Sequence, residues 1–110
     1  MEKRKRVQLS SLFEKDIQNI FAYGVESFGI NVAEQYKQHI MVLTYGLNDF
    51  YLMYPECKWL TTQGRIYRNI ILEAHLIIYR IATERIEVLR VLHAKSSISR
   101  IRSARKIKID

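Results

Sequence analysis

Two arginines interrupt the two most apolar runs of this sequence, and a histidine ends the second run. Residues 75–81 read HLIIYRI and residues 86–93 read IEVLRVLH, so Arg80, Arg90 and His93 stand among aliphatic and β-branched side chains. A guanidinium group can bind phosphate or carboxylate through parallel hydrogen bonds, and an imidazole can move a proton near neutral pH. The residue types therefore indicate binding of an anionic or protein partner.

The same side chains could instead serve the fold. Arg80 and Arg90 have three acidic residues close in the sequence with which they could form structural salt bridges, namely Glu73, Glu84 and Glu87. A single histidine at a strand end more often anchors a turn than acts as a base. The sequence leaves the structural and the functional interpretations open.

The apolar runs predict strands. Two β-branched runs separated by a two- to three-residue turn are typical of a β-hairpin. We expect three consecutive strands at about residues 66–73, 74–82 and 85–94, the middle one apolar on both faces. The alternating segment Val7–Ser10 predicts a short first strand.

Between the first strand and the hairpin, the apolar residues recur at helical spacing. Ser11 and Glu14 form a capping-box pattern that predicts the start of a helix, and Gly29 predicts its end. Asn31 and Glu34 repeat the capping pattern ahead of a second, longer helix. The apolar stripes of the two helices contain Phe13, Ile17, Ile20, Phe21, Gly24 and Phe28 in the first, and Ala33, Tyr36, Ile40, Leu43 and Leu47 in the second.

This order, β-α-α-β-β-β, predicts an α+β fold in which a helical hairpin packs on one face of a small antiparallel sheet. Because one helical pair covers only one face, we expect the other face to be open. If Arg68, Arg80 and Arg90 all project from that face, they form a cationic patch in apolar surroundings. Residues 56–65 are predicted to be a loop held to the body by Trp59 and Leu60.

A separate apolar segment, residues 50–54 (FYLMY), follows the second helix. Five large apolar side chains in succession cannot all face one core. We therefore expect part of this segment to be covered by a partner protein or by a second copy of the chain.

The chain of 110 residues is predicted to be a single domain, 1–110, with basic tails at 1–6 and 96–110. Of the net charge of +7, residues 1–6 carry +3 and residues 95–110 carry +5, which leaves −1 for the body. From Ser96 onward, apolar residues at helical spacing predict a short, very basic terminal helix, ordered only against a partner. Basic tails of this kind bind nucleic acid or acidic proteins, or only promote solubility.

Composition also excludes several classes of protein. One cysteine, Cys57, rules out an internal disulfide and a four-cysteine zinc site, and indicates a reducing, cytoplasmic setting. No cluster has metal-ligand spacing, so we expect neither metal nor cofactor. No apolar run approaches the roughly 20 residues that span a bilayer, and no secretory signal follows the basic start, so we expect no membrane association.

The element order and the closing residues resemble the RelE/ParE superfamily of toxins from bacterial type II toxin–antitoxin (plasmid-stabilisation) modules. The likeness covers roughly residues 7–95. Its most specific part is HLIIYRI at 75–81 followed by IEVLRVLHA at 86–94, which is similar to the family ending h-x-I-x-Y-R…I-x-I-L-R-V-L-H-G, with Ala94 where glycine is usual. The start of the first helix is also similar to that of ParE.

The resemblance implies one of two toxic activities, or a structural member whose only activity is antitoxin binding. RelE-like members are metal-independent, ribosome-dependent messenger-RNA endonucleases that need a proton-transferring residue near the carboxyl end, whereas ParE-like members inhibit DNA gyrase. No tyrosine follows Tyr79 and no histidine follows His93, so the resemblance favours the ParE branch, a binding toxin neutralised by a cognate antitoxin. In the endonuclease alternative, Arg80, Arg90 and His93 are the candidate catalytic residues. The predicted partner-binding residues are Arg68, Tyr79, Arg80, Arg90, His93, Arg100, Arg102 and Arg105.

Overall fold

The computed structural model describes residues 3–109, which form an α+β fold with a four-stranded sheet. The helices and strands in chain order are β1 (Arg6–Leu9), α1 (Ser11–Phe28), α2 (Ile30–Tyr45), α3 (Leu47–Phe50), β2 (Tyr67–Ile71), β3 (His75–Ile81), β4 (Arg85–His93), α4 (Ile98–Arg102) and a 3₁₀ helix (Ser103–Lys106). The predicted fold class is confirmed, and each predicted strand lies within two residues of its observed bounds.

The sheet has the order β1-β4-β3-β2. The last three strands pair antiparallel, as predicted, whereas β1 runs parallel to β4. The sheet is therefore mixed. The α1–α2 hairpin connects β1 to the later strands. This long connection allows β1 to lie at the edge of the sheet and to run parallel to β4.

Helix α1 begins one residue earlier than the capping pattern predicts. The Ser10 Oγ, rather than that of Ser11, accepts the hydrogen bond from the Phe13 backbone N–H at 2.9 Å. The same hydroxyl donates to the Leu89 carbonyl at 2.6 Å. The hydrogen bond to Leu89, which is distant in the sequence, thus favours Ser10 as the N-cap residue. A local capping rule does not include such a contact.

The link between the two helices is shorter than predicted. Gly29, with φ of 91°, both ends α1 and precedes α2, so the predicted cap at Asn31 does not form and α2 has no side-chain cap. Helix α2 has 16 residues against 18 in α1, so the prediction of a longer second helix is wrong. The two helices approach closely at Gly24, where an added Cβ would lie 3.1 Å from the Cβ of Ala33.

The sheet separates two apolar cores. The first lies beneath the α1–α2 hairpin and contains Phe13, Ile17, Ile40, Leu47, Tyr51, Ile70, Ile77, Tyr79, Ile86, Val88 and Val91. The second lies on the opposite face and contains Cys57, Leu60, Tyr67, Ile78, Leu89, Leu92, Ile101 and Ala104. The predicted anchoring of the 56–65 loop is confirmed, because Leu60 is fully buried and Trp59 packs beside it.

Strand β4 contains a β-bulge that redirects its side chains. Ile78 pairs with Arg90, but the next residue, Tyr79, pairs with Val88, which leaves Leu89 unmatched. A bulge of this kind interrupts the alternation of side chains between the faces. Val88 and Val91 therefore lie in the first core while Leu89 lies in the second.

Candidate partner-binding surfaces

The face of the sheet opposite the helical hairpin is covered. The C-terminal segment places Ile101 and Ala104 in the second core, at 2% and 0% exposure, and Ile107 and Ile109 pack against it. The prediction of an open face is therefore wrong. The terminal helix is also ordered on the body of the chain itself, not only against a partner.

Arg80 lies on this covered face and is held within the chain. Its Nε donates to the Glu87 carboxylate at 2.7 Å, and its other nitrogens donate to the Tyr67 hydroxyl at 3.3 Å and the Ile107 carbonyl at 2.8 Å. Arg85 binds the second oxygen of the same carboxylate at 2.7 Å. The Glu87 carboxylate of β4 thus bridges the guanidinium groups of Arg80 on β3 and Arg85 on β4.

The electrostatics of this cluster follow from its contacts. Burial alone lowers the pKa of Arg80, but the hydrogen bonds with Tyr67 and Glu87 outweigh it and leave the pKa raised. Burial likewise raises the pKa of Glu87, but the hydrogen bonds from Arg80 and Arg85 outweigh it and leave the pKa lowered. Arg80 and Glu87 therefore both remain charged at neutral pH.

Arg90 stands next to the β-bulge and pairs with helix α1. Its Nε and one terminal nitrogen donate to the two oxygens of Asp16 at 2.7 and 2.8 Å. The Asp16 carboxylate also accepts the Val91 backbone N–H at 3.1 Å. The Asp16 carboxylate thus binds a backbone N–H of β4 at a position that β1 does not reach. It also connects α1 to the sheet.

Arg68 lies in a third environment, on the side of the helical hairpin. Its guanidinium donates to the carbonyls of Leu52, Tyr54 and Arg65 at 3.0–3.2 Å. It therefore holds the segment after α3 against the edge strand β2. Because Arg68, Arg80 and Arg90 point in different directions, the prediction of a shared cationic patch is wrong.

Tyr79 is also part of the structure of the core. Its side chain has 0% exposure, and its hydroxyl donates to the Tyr51 carbonyl at 2.7 Å. Burial raises the pKa of this phenol. In this fold Tyr79 has no surface with which to contact a partner.

His93 is exposed at the end of β4 and belongs to a small cluster that the sequence did not predict. His75 lies directly opposite on β3, with the two ring centroids 5.6 Å apart. The His75 Nδ1 is hydrogen-bonded to the Tyr36 hydroxyl of α2 at 2.7 Å. Burial and then the charge of His93 lower the pKa of His75, and burial and then Glu73 raise that of Tyr36.

The hydrogen bonding of His93 limits what this ring can do. Its Nδ1 accepts the Lys95 backbone N–H at 3.1 Å, so the neutral ring carries its proton on Nε2. The other ring nitrogen, Nε2, is then a donor, not the acceptor that a general base requires. The arrangement resembles the turn-anchoring role of a strand-end histidine.

The surface cations of the C-terminal segment differ from the partly buried arginines. Arg100, Arg102 and Arg105 are exposed on α4 and the 3₁₀ helix that follows it. Arg105 lies over the Tyr67 ring, 5.9 Å from its centroid. Of the predicted partner-binding residues, these three and His93 have the most accessible side chains.

An apolar groove of about 380 Å³ lies at the end of the helical hairpin. Met53 is 73% exposed and Val42 is 68% exposed, whereas Tyr51 beside them is buried. The apolar run at 50–54 is thus divided between core and surface, as predicted. The groove is lined by Val42, Leu43, Gly46, Phe50, Met53 and Tyr54.

Sequence reasoning missed Asp16 and the Tyr36–His75 contact. Asp16 could have been noticed, because it stands three residues after Phe13 on the buried stripe of an amphipathic helix, where an acidic residue needs a partner. No local sequence pattern predicts the Tyr36–His75 contact.

No group of three His, Cys, Asp or Glu side chains suited to a metal ion occurs in residues 3–109, and no helix in that range could span a membrane.

The chain is a small α+β domain with the β-α-α-β-β-β order that the sequence resemblance implies, followed by a folded C-terminal segment. Residues 7–98 match the family described as the ParE toxin of the type II toxin–antitoxin system, parDE. The chain therefore belongs to the ParE toxin family.

The fold is also found in a solved structure. The chain is similar to a chain of the chromosomal ParDE toxin–antitoxin system from P. aeruginosa, with a TM-score of 0.70 and 16% sequence identity. The alignment covers 86% of this chain and 100% of that chain. No curated protein sequence matches the chain.

Proposed function

We propose that this protein is a ParE-like toxin that inhibits DNA gyrase in the cytoplasm and is neutralised by a cognate antitoxin. The observation that carries the proposal is the family match over residues 7–98, which includes the α1–α2 hairpin and all four strands apart from Arg6 of β1. The toxin acts by binding a protein rather than by chemistry.

The geometry of the candidate catalytic residues favours a toxin that acts by protein binding over one that cleaves messenger RNA. Arg80 and Arg90 are engaged with Glu87 and Asp16 at 2.7 Å, so neither guanidinium is free to stabilise a phosphate. The lone pair of neutral His93 is occupied by the Lys95 N–H. An endonuclease needs these groups directed at the substrate.

The antitoxin binds in the apolar groove between α2 and the 50–54 segment. The groove is lined almost entirely by aliphatic and aromatic carbon, and it contains exposed Met53, a flexible side chain suited to partner surfaces. An amphipathic helix that places its apolar face in a hydrophobic groove is a common mode of recognition.

A supercoiling assay with purified gyrase tests the proposed target. We expect micromolar toxin to inhibit supercoiling, and preincubation with the antitoxin to restore it. The same toxin is added to a translation reaction, in which we expect no cleavage of messenger RNA. Unaffected gyrase together with cuts at codon positions would establish the endonuclease function in its place.

Two valines on the same helix test the antitoxin groove. Val42 lies in the groove and Val32, at 51% exposure, lies near the other end of α2. We expect Val42→Glu to weaken antitoxin binding at least tenfold, about 1.4 kcal/mol, and Val32→Glu to leave it within about twofold of wild type. Equal effects of the two variants in calorimetric titration would place the antitoxin elsewhere.

A further inference from the structure

The C-terminal segment, residues 95–109, contains six cationic side chains and no acidic one: Lys95, Arg100, Arg102, Arg105, Lys106 and Lys108. None of the six forms an ion pair with a carboxylate of residues 3–109. Near the other end of the chain, Lys3 pairs with Glu84 at 3.6 Å and Arg4 with Asp49 at 2.8 Å. The positive charge of the C-terminal segment is therefore uncompensated within the described part of the fold.

These cations stand on a folded surface rather than on a loose tail. Ser97 caps α4 by accepting the Arg100 N–H at 3.1 Å. The side chain of Ile101, in the same helix, is 98% buried in the second core. Arg80 and Arg85 hold the end of the segment by donating to the carbonyls of Ile107 and Ile109. A surface ordered in advance loses less conformational entropy when it binds.

The exposed side of the segment has the chemistry of a phosphate-binding surface. An open groove of about 500 Å³ is lined by Ser99, Arg102, Ser103 and Lys106, with Ile98 as its one apolar lining residue. Arginine, lysine and serine hydroxyls are the side chains that contact phosphate oxygens in protein–nucleic acid complexes. From Arg100 to Lys108 the segment extends roughly 15 Å at helical rises, long enough to lie along several phosphates.

We propose that the C-terminal segment binds the sugar–phosphate backbone of nucleic acid, without reading its sequence. An acidic protein segment fits this surface less well, because protein partners are held by apolar anchors in desolvated pockets and Ile98 alone could serve. The apolar groove of the chain lies elsewhere, around Val42 and Met53. This inference does not depend on gyrase or the antitoxin and can fail or succeed independently of the proposed function.

Fluorescence anisotropy with a labelled duplex DNA of arbitrary sequence tests the proposal, with single-stranded RNA of the same length as a second probe. If about four phosphates are contacted, the affinity falls roughly 100- to 200-fold between about 50 and 200 mM salt. Binding of either probe with such a slope supports the proposal, and the preferred probe identifies the natural source of the phosphates.

Two triple variants with the same loss of charge separate a local site from net charge. The site variant carries Arg100→Gln, Arg102→Gln and Lys106→Gln. The control variant carries Lys15→Gln, Lys37→Gln and Lys58→Gln, none of which forms an ion pair with residues 3–109. We expect at least a tenfold loss of affinity and a salt slope reduced by about 3 for the site variant, and about a twofold loss for the control.

Three results would overturn the proposal: no binding at low salt, equal losses for the two triple variants, or tighter binding of a polyglutamate peptide of equal charge. A charge-conserving variant, Arg100→Lys with Arg102→Lys, checks that folding is not the cause of a loss. It retains the charge on the same surface, so we expect affinity within about threefold of wild type.

Discussion

The partly buried arginines of the sheet and the surface cations of the C-terminal segment show what cationic side chains do in two environments. Arg80 and Arg90 have side chains 15% and 14% exposed, and each is paired with a carboxylate at 2.7 Å. Arg100 and Arg102 are exposed and have no carboxylate partner in residues 3–109. The first pair joins elements of the fold, and the second remains available to a partner.

Desolvation explains this division. A charge removed from water must recover several kcal/mol from a partner and from hydrogen bonds, and for Arg80 and Arg90 a fixed carboxylate supplies both. A charge in water carries no such requirement and contributes little to stability. The four predictions below test this difference, in order of decreasing expected effect.

The largest effect is expected at Glu87, whose carboxylate binds both Arg80 and Arg85. Glu87→Gln removes the charge of the carboxylate that Arg80 and Arg85 share, and we expect a loss of about 3–5 kcal/mol in the free energy of unfolding, measured by urea denaturation. Glu84→Gln is the control, because its pair with Lys3 is more than 70% exposed on both sides. We expect it to cost less than about 0.5 kcal/mol; similar losses would remove the distinction between buried and exposed pairs.

A smaller effect is expected at Asp16. Asp16→Asn retains one oxygen that can accept from Arg90 or from the Val91 N–H but loses the charge, so we expect a loss of about 2–3 kcal/mol. Asp49→Asn, at a surface pair with Arg4, is the matched control and should cost less than about 0.5 kcal/mol. An unchanged chemical-denaturation midpoint for Asp16→Asn would show that the pair does not stabilise the fold.

The third prediction concerns pH. Because the folded state lowers the pKa of His75, the folded protein binds fewer protons than the unfolded chain. Stability is therefore fully present above the ordinary histidine pKa of about 6.5 and declines as pH falls below it, by at most about 1.4 kcal/mol per pH unit.

We expect His75→Gln to flatten the pH dependence of the unfolding free energy below about pH 6.5. His39→Gln, a change at an exposed histidine of α2, should preserve the slope. An unaltered slope in His75→Gln would show that this ring does not titrate differently in the two states.

The smallest effect on stability is expected at the surface cations. The triple change of Arg100, Arg102 and Lys106 to Gln removes exposed charges that have no carboxylate partner in residues 3–109. We expect the free energy of unfolding to change by less than about 0.5 kcal/mol, measured by thermal and urea denaturation. A loss above about 2 kcal/mol would mean that these residues serve the fold as Arg80 does.

Much of the fold could be predicted because it follows from local patterns. The apolar runs around Ile78 and Val88 gave strand bounds within one residue at most ends, and Gly29 marked the end of α1. The candidate site could not be predicted in the same way. The faces of Arg80 and Arg90 depend on a pairing register, and the bulge at Leu89 breaks the period of two from which faces are inferred.

The amino-acid sequence by itself determined the order of helices and strands, the family, and the concentration of positive charge at the two ends of the chain. Only the tertiary structure decided which cations are buried and which are exposed. Asp16 lies 74 residues from Arg90, and Ile107 lies 27 residues from Arg80. Contacts at such separations form only when the sheet and the C-terminal segment are packed together, because no local propensity encodes the partner of a buried charge.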